Sequence, residues 1–381
     1  VTGAGPLFAE PLPPLDVSGR LDRLRETFPK AGVDGLLVTA SANIRWLTGF
    51  TGSAGLLLVT SERAVLTSDG RYRTQSQEQL AQAGVASVVD IVIGGAQAQR
   101  EAMVAAWGAT PNLGLEADDV TWSGQRAWDE AVGAGVELVP TRGCVEALRQ
   151  VKDAGEVARM ERAAAIADDA LASVVPLLVR AEAESVTEAF VAAALDHAMR
   201  VRGAEDSAFE TIVASGPNSA KPHARPGDRQ IRSGDPVVID FGAIYEGYRS
   251  DMTRTFCIGG EPHGELARVF SVVAESQRVG VAAVAPGVVA GDVDRACRDV
   301  IAEAGWAERF EHGTGHGVGL DIHEAPSVGP GATAILAPGV VATVEPGVYL
   351  AGVGGVRIED TLVVVENGRR SLTMFPKDVP L

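Results

Sequence analysis

Cysteine is nearly absent from this 381-residue chain: Cys144, Cys257 and Cys297 lie far apart, and none belongs to a CxxC pair. An odd number at such spacing gives no basis for a disulfide framework and predicts reduced thiols, the cytoplasmic default, with no chemistry of their own. Positive charge is also short. Against 50 acidic residues stand 33 Lys and Arg, a net charge of −17. That balance excludes nucleic-acid binding through phosphates and attraction to anionic membrane surfaces; it favours solubility. No apolar run approaches the ~18–20 residues of a membrane span. The opening "VTGAGPLFAEPLPPL" lacks the basic start and apolar core of a secretory signal, so residues 1–16 read as a Pro-rich tail and the chain as cytoplasmic.

Several catalytic signatures are missing as well. Ser53 in "FTGSAG" is preceded at −2 by Thr51 rather than Gly, which removes the GxSxG nucleophile elbow. No Walker A sequence occurs, and no GxGxxG follows a strand-like run. His323-Glu324 is followed by Ala-Pro-Ser, so HExxH is absent too. A serine hydrolase, a nucleotide enzyme and a zincin are thereby disfavoured.

What is present is an ordinary folded composition, 46% hydrophobic and 22% charged. From 17 to 145, strand-like runs (35–40, 55–60, 64–68) alternate with helical ones (76–84, 98–108), which predicts an α/β domain. The Ala-rich stretch 145–181 is helical in period and bridges to a second domain. A further helix is expected within 185–203, capped by Ser or Thr and ended by Gly203. Beyond residue 210, β-runs with Gly-rich turns enclose helices near 264–285 and 292–305. Residues 146–381 are thus expected to form an α+β domain.

The chemistry begins at 237–256, "VVIDFGAIYEGYRSDMTRTF". Strand interiors disfavour aspartate, and a buried, unpartnered carboxylate is costly. Folded as a hairpin about a four-residue turn at 244–247, this stretch sets Asp240 directly opposite Asp251. In "ATVEPGVYLAGVGGVRIEDTL" (342–362), a five-residue loop at 350–354 sets Gly347 on Arg357 and Glu345 on Glu359; starting it one residue later would pair Glu345 with Thr361. Opposed like charges repel unless a proton or a metal lies between them. One pair could be a carboxyl–carboxylate dyad. Four converging carboxylates suit one or two divalent cations better, and oxygen donors suit ions such as Mn²⁺.

Three of the six histidines fall within "HGTGHGVGLDIHE" (312–324). His312 and His316 have i, i+4 spacing, but glycines at 313, 315, 317 and 319 make a helix improbable there. One of the two is expected as a ligand and the other as its support. His197 and His263 read as ordinary residues.

Together, Asp240, Asp251, "HGTGHGVG", "TVEPGVY" and "GVRIEDT" resemble the five-ligand signature of the pita-bread metallopeptidases, the family of methionyl aminopeptidase, aminopeptidase P and prolidase. "NIRWLTGFTGSAG" (43–55), "DGRYRTQ" (69–75) and "LRQVKDAGE" (148–156) resemble the proline-specific branch, and the likeness runs from about 21 to 365. It implies a pita-bread catalytic domain at 146–381, a smaller α/β N-terminal domain at 17–145, and two divalent metal ions, Mn²⁺ foremost, with Co²⁺, Zn²⁺ or Fe²⁺ as alternatives. By position, Asp240 would chelate one metal, Asp251 and Glu359 would bridge both, and His316 and Glu345 would hold the other. Glu345 would also shuttle a proton. His223 and His323 would face the scissile peptide, His312 would support substrate, and Arg357 and Thr253 would stand behind the ligands. The implied activity is removal of an N-terminal residue ahead of proline, as in aminopeptidase P, acting on peptides with proline second. Alternatives are prolidase, confined to Xaa-Pro dipeptides, and more remotely creatinase or a non-catalytic binding module. A homo-oligomer, dimer or tetramer, is implied as well.

Overall fold

Short apolar runs punctuated by Gly, Ser and Asp build the N-terminal sheet from β1 (Gly35–Val38), β2 (Leu56–Thr60), β3 (Ala64–Ser68), β4 (Val89–Ile93), β5 (Asn112–Glu116) and β6 (Glu137–Thr141). The computed structural model describes residues 11–108, 110–377 and 381. Strand order is β4-β3-β2-β1-β5-β6, with β1, β2 and β3 antiparallel in succession and the remaining pairs parallel. Parallel neighbours need crossovers. The helices Arg73–Gln82 and Trp122–Val132 supply them between β3 and β4 and between β5 and β6. Leu37, Leu58, Met103, Trp107, Leu113 and Trp128 form a buried cluster on this sheet. Two compact units divide the chain: Pro14–Arg149, and Gln150–Leu381 together with the stretch that ends at Pro13. Residues 1–10 of the expected tail lie outside the described residues; 11–16 have no regular structure.

The second unit contains β7 (Asp206–Ser207), β8 (Ile212–Ser215), β9 (Pro236–Phe241), β10 (Ala243–Tyr245), β11 (Tyr248–Arg249), β12 (Met252–Cys257) and β13 (Gly315–Gly317). There follow β14 (Glu324–Val328), β15 (Val341–Val344), β16 (Gly347–Leu350), β17 (Gly354–Arg357), β18 (Asp360–Val365) and β19 (Gly368–Ser371). Helices Ala154–Val179 and Glu188–Val201 pack their Ala, Leu and Val positions against β8, β9 and β12. A second pair, Gly264–Ala283 and Ala290–Glu303, packs against β15 to β18. Each half is therefore a helix pair on a sheet, with apolar backs inward and opposite faces free to carry polar groups. The fold is α+β, the pita-bread arrangement that the sequence resembles.

The first hairpin differs from its expected register. A two-residue turn, Glu246-Gly247, joins Tyr245 to Tyr248, and both turn residues have positive φ (44° and 74°). Two left-handed residues match the right-handed twist of flanking strands. The sequence favours a longer turn because glutamate seldom adopts positive φ. Here Arg159 donates from Nε to Glu246 at 2.7 Å, and Glu205 accepts from Gly247 N–H. The tighter turn sets Thr253, not Asp251, opposite Asp240. Asp251 lies two residues further along the same face, a diagonal neighbour.

Gly242 makes the close approach at that diagonal possible. A Cβ there would stand 1.9 Å from the Ser250 carbonyl oxygen, so only glycine fits. Gly242→Ala is expected to cost about 3 kcal/mol, since overpacking against backbone has no side chain to yield. Chemical denaturation of the purified variant checks this, and a cost under about 1 kcal/mol would show that the hairpin absorbs the methyl.

The second hairpin keeps its expected register. Gly347 pairs with Arg357 and Tyr349 with Gly355, and one further pair, Leu350 with Gly354, shortens the loop to 351–353. β15 and β18 continue that register, Val344 on Asp360. Glu345 and Glu359 thus stand opposite each other where the ladder opens. Their backbone N–H groups turn outward to Thr314 and Thr253 carbonyls (2.7 and 3.1 Å).

Candidate metal centre

Strand ends bring acidic side chains from separate sheets to one point. Asp240 is the last residue but one of β9, Asp251 precedes β12, and one carboxylate oxygen from each lies within 4.8 Å of a Glu359 oxygen and of the other. His316, in the middle of β13, completes the ring: its Nε2 is 3.5 Å from Asp251 Oδ2 and 3.4 Å from Glu345 Oε1. All nine expected site residues line one cavity of about 550 Å³: Asp240, Asp251, His316, Glu345, Glu359, His223, His312, His323 and Arg357. Thr253 is buried outside its wall.

The two close histidines are told apart by their hydrogen bonds. A carbonyl only accepts, so His316 Nδ1, 3.0 Å from Gly317 O, carries the proton. Its Nε2 lone pair then points at the carboxylates, the tautomer a metal ligand needs. His312 likewise donates Nδ1–H to Gly313 O at 2.8 Å, but its Nε2 lies 2.8 Å from Tyr349 Oη. Burial lowers both imidazoles to about 4, so both are neutral near pH 7. His323 stands edge-on to His316, ring centroids 4.4 Å apart. His223 lies across the cavity, on the loop after the short helix Gly216–Ala220.

Arg357 is the brace behind the cluster, and it is 3% exposed. It donates to Asp240 Oδ2 (2.7 Å), Thr253 Oγ1 (3.2 Å), Tyr349 Oη (2.8 Å) and Pro222 O (3.3 Å). Tyr349, accepting from Arg357, must give its own proton to His312 Nε2. Thr253, accepting from Arg357, gives its proton to Glu359 Oε2 at 2.7 Å. Thr343 Oγ1 accepts from His316 N–H (3.0 Å) and donates to Glu345 (3.2 Å). Neither Tyr349 nor Thr343 is among the site residues expected from the sequence. Their signal was the alternation of the second hairpin, because 343, 345, 347 and 349 share one face.

Electrostatics and unsatisfied atoms test whether these donors suit cations. Burial, then the charges of Glu359, Asp240 and Glu345, holds Asp251 well above the ordinary carboxylate range. Burial followed by Glu345 and Asp240 does the same to Glu359. Glu345 is pushed up to about 8, chiefly by burial, with Arg357 opposing and Asp240 adding to the rise. Asp240 Oδ1 and Glu359 Oε1 are buried and accept no hydrogen bond. Clustered acidic oxygens that lack donors, beside an imidazole lone pair, fit divalent cations and little else.

Comparison with known proteins agrees with this chemistry. Residues 158–366 match the metallopeptidase family M24, and residues 20–151 match the creatinase/prolidase N-terminal domain. An "Uncharacterized peptidase YqhT" from Bacillus subtilis (strain 168) is 41% identical over 94% of this chain and 99% of its own length. The structure of an Xaa-Pro dipeptidase from Bacillus anthracis superposes with a TM-score of 0.89 at 39% identity, covering 96% of this chain and 99% of that one. An X-Pro aminopeptidase from Thermotoga maritima MSB8 superposes with a TM-score of 0.81 at 34% identity, covering 93% and 99%. Among the described residues, no helix is long and apolar enough to cross a membrane.

Proposed function

The chain belongs to metallopeptidase family M24, and from that premise we propose that it is an Xaa-Pro dipeptidase, splitting Xaa-Pro into a free amino acid and proline. The observation that carries this reading is the convergence of four carboxylates and one neutral histidine in a cavity that two further histidines also line. Asp240, Asp251, His316, Glu345 and Glu359 would hold two divalent cations, Mn²⁺ foremost. When bound, such a pair lowers the pKa of a water and offsets negative charge that develops on the carbonyl oxygen.

The chain's own groups would do the rest. Glu345, whose carboxylate lies 3.4 Å from His316 Nε2 at the cavity wall, would take the proton of the attacking water. It would then deliver that proton to the proline nitrogen as the C–N bond breaks. An Xaa-Pro nitrogen carries no hydrogen, so this delivery is what makes it a leaving group. His223 and His323 would donate hydrogen bonds to the carbonyl oxygen as its charge grows.

The more similar of the two matched structures is a dipeptidase, and the cavity's cations favour the same choice over the aminopeptidase P activity that the sequence suggested first. Arg357 and Arg225 are the two arginines among its described lining residues. Arg357 is engaged by Asp240, Thr253, Tyr349 and Pro222. Among the described residues, Arg225, two residues beyond His223, pairs with Glu210 alone, loosely and exposed at 3.4 Å, an interaction worth little. The free carboxylate of a dipeptide, one residue past the scissile bond, would meet a cation there.

Incubation with Mn²⁺ and comparison of Xaa-Pro with Xaa-Pro-Yaa-Zaa by mass spectrometry tests the reading. Cleavage of the dipeptide alone is expected. Release of Xaa from the tetrapeptide would replace it with aminopeptidase P activity, and cleavage of neither with metal bound would overturn both. Arg225→Ala is expected to raise KM for the dipeptide about tenfold, the worth of one charge-assisted contact, while leaving the dipeptide amide unchanged.

A further inference from the structure

The loop 216–228 presents Pro222, His223 and Arg225 to the cavity. What holds this loop comes from another element. Glu188, in the first turn of the helix Glu188–Val201, is fully buried (0% exposed) and is not among the cavity-lining residues. Its Oε1 accepts from Ser215 N–H (2.8 Å), Ser215 Oγ (2.8 Å) and Asn218 Nδ2 (3.1 Å). Its Oε2 accepts from Gly227 N–H and Asn218 Nδ2, both at 3.2 Å. Ser215 and Asn218 precede His223 and Gly227 follows it, so one carboxylate ties both feet of the loop. The backbone repeats the tie: Glu188 N–H donates to Arg229 O (3.1 Å) and Ala189 N–H to Gly227 O (3.0 Å).

A carboxylate buried this deeply persists only while its donors surround it, and each donor loses a strong acceptor if it leaves. The cluster therefore has one favourable arrangement, with the two feet closed on Glu188. At the tip, Arg357 donates to Pro222 O, which fixes the residue before His223 to the brace of the metal ligands. The loop is thus held from below by Glu188 and from inside by Arg357, with His223 between.

We propose that Glu188 is a positioning residue: a buried clasp that closes the loop 216–228 and holds the His223 imidazole against the scissile carbonyl. The kinetic part of this inference rests on the Xaa-Pro peptidase reading; the structural part does not. Because His223 would act on charge present only in the transition state, a loosened clasp lowers kcat, and it leaves KM nearly unchanged for the dipeptide amide, which has no carboxylate to meet Arg225 on the same loop. Displacement of such a group by about 1 Å costs up to about a hundredfold.

Glu188→Gln keeps the shape but turns an NH₂ group toward donors, which breaks one arm of the clasp. With the dipeptide amide as substrate it is expected to lower kcat by roughly 10- to 100-fold with KM within about twofold, and to leave Mn²⁺ affinity by calorimetry unchanged. In a His223→Ala background the same change should cost less than about twofold, because the group it positions is gone. Hydrogen exchange of residues 216–228 should rise, with the strands of the metal centre unaltered. Full multiplication of the two losses, or unchanged exchange in the loop, would overturn the proposal. If Glu188→Gln fails to fold, Asn218→Ala removes the donor shared by both oxygens and must move the same readouts in the same direction. Should the unaltered protein cleave no Xaa-Pro peptide, the activity reading fails, while the exchange measurement still decides the clasp.

Discussion

Asp251→Asn is expected to abolish metal-dependent turnover and, in the metal-free protein, to raise the melting temperature. The first effect follows from position. Asp251 sits between Asp240, Glu359 and His316, where its oxygens would serve both cations. An amide supplies one neutral oxygen and a donor pair in place of two anionic oxygens. Losing roughly 4 kcal/mol of transition-state stabilisation is a fall of about a thousandfold in kcat/KM. The second effect follows from charge. Asp251 is 4% exposed, and nearby Glu359, Asp240 and Glu345 all disfavour its ionised form. An amide is neutral without taking up a proton, so the metal-free variant is spared the cost of protonating this site near pH 7 and gains stability while it loses function. Turnover assays with Mn²⁺ and thermal melts after chelation check both halves. Activity within tenfold of the unaltered enzyme would refute the ligand assignment. A lower melting temperature without metal would show that Asp251 is held by contacts rather than strained by charge.

Removing the metal is expected to make stability fall as pH rises from about 6.5 to about 8, and adding Mn²⁺ to flatten that slope. Glu345 is pushed up to about 8 from an ordinary 4.5, and Asp251 and Glu359 are raised as well. Between about 6.5 and 8 the folded chain holds protons on these carboxylates that the unfolded chain has released; below 6.5, His312 and His316, held neutral down to about 4, oppose the trend. Stability is then present below the unfolded pKa and declines as pH climbs toward the folded one. Cations replace those protons, so their benefit grows with pH. At 100 times its dissociation constant a ligand contributes about 2.7 kcal/mol, several degrees of melting temperature for a chain of this size. The shift on adding Mn²⁺ should therefore be large at pH 8 and small at pH 5. Calorimetry of chelated and Mn²⁺-loaded protein across this range measures it. The Asp251→Asn variant should show a shallower metal-free slope than its parent. A shift independent of pH would mean that the carboxylates are already ionised without metal, contrary to their burial.

Legibility in the sequence divided along physical lines. The Glu345 and Glu359 register could be read because strand alternation and a Gly-rich turn are local properties, and both survive folding unchanged. The Asp240 and Asp251 offset could not. It depends on Glu246 adopting a left-handed conformation, which Arg159, nearly ninety residues earlier, helps to hold. Spacing alone leaves His312 and His316 equivalent, since it says nothing about lone-pair direction; in the sequence only the family resemblance tells them apart. The carbonyls and hydroxyls around each ring separate them, through Tyr349 for one and the carboxylates for the other.

By itself, then, the sequence determined which side chains could meet a cation, the helices and strands that carry them, and the family whose order of acidic and histidine residues they share. Local pattern and residue chemistry are enough for that. Only the tertiary structure decided how the oxygens are spaced, which imidazole faces them, and that a buried glutamate on another helix closes the loop of His223. Those facts rest on hydrogen bonds between residues far apart in the chain, and such partners are chosen by packing rather than by neighbouring sequence.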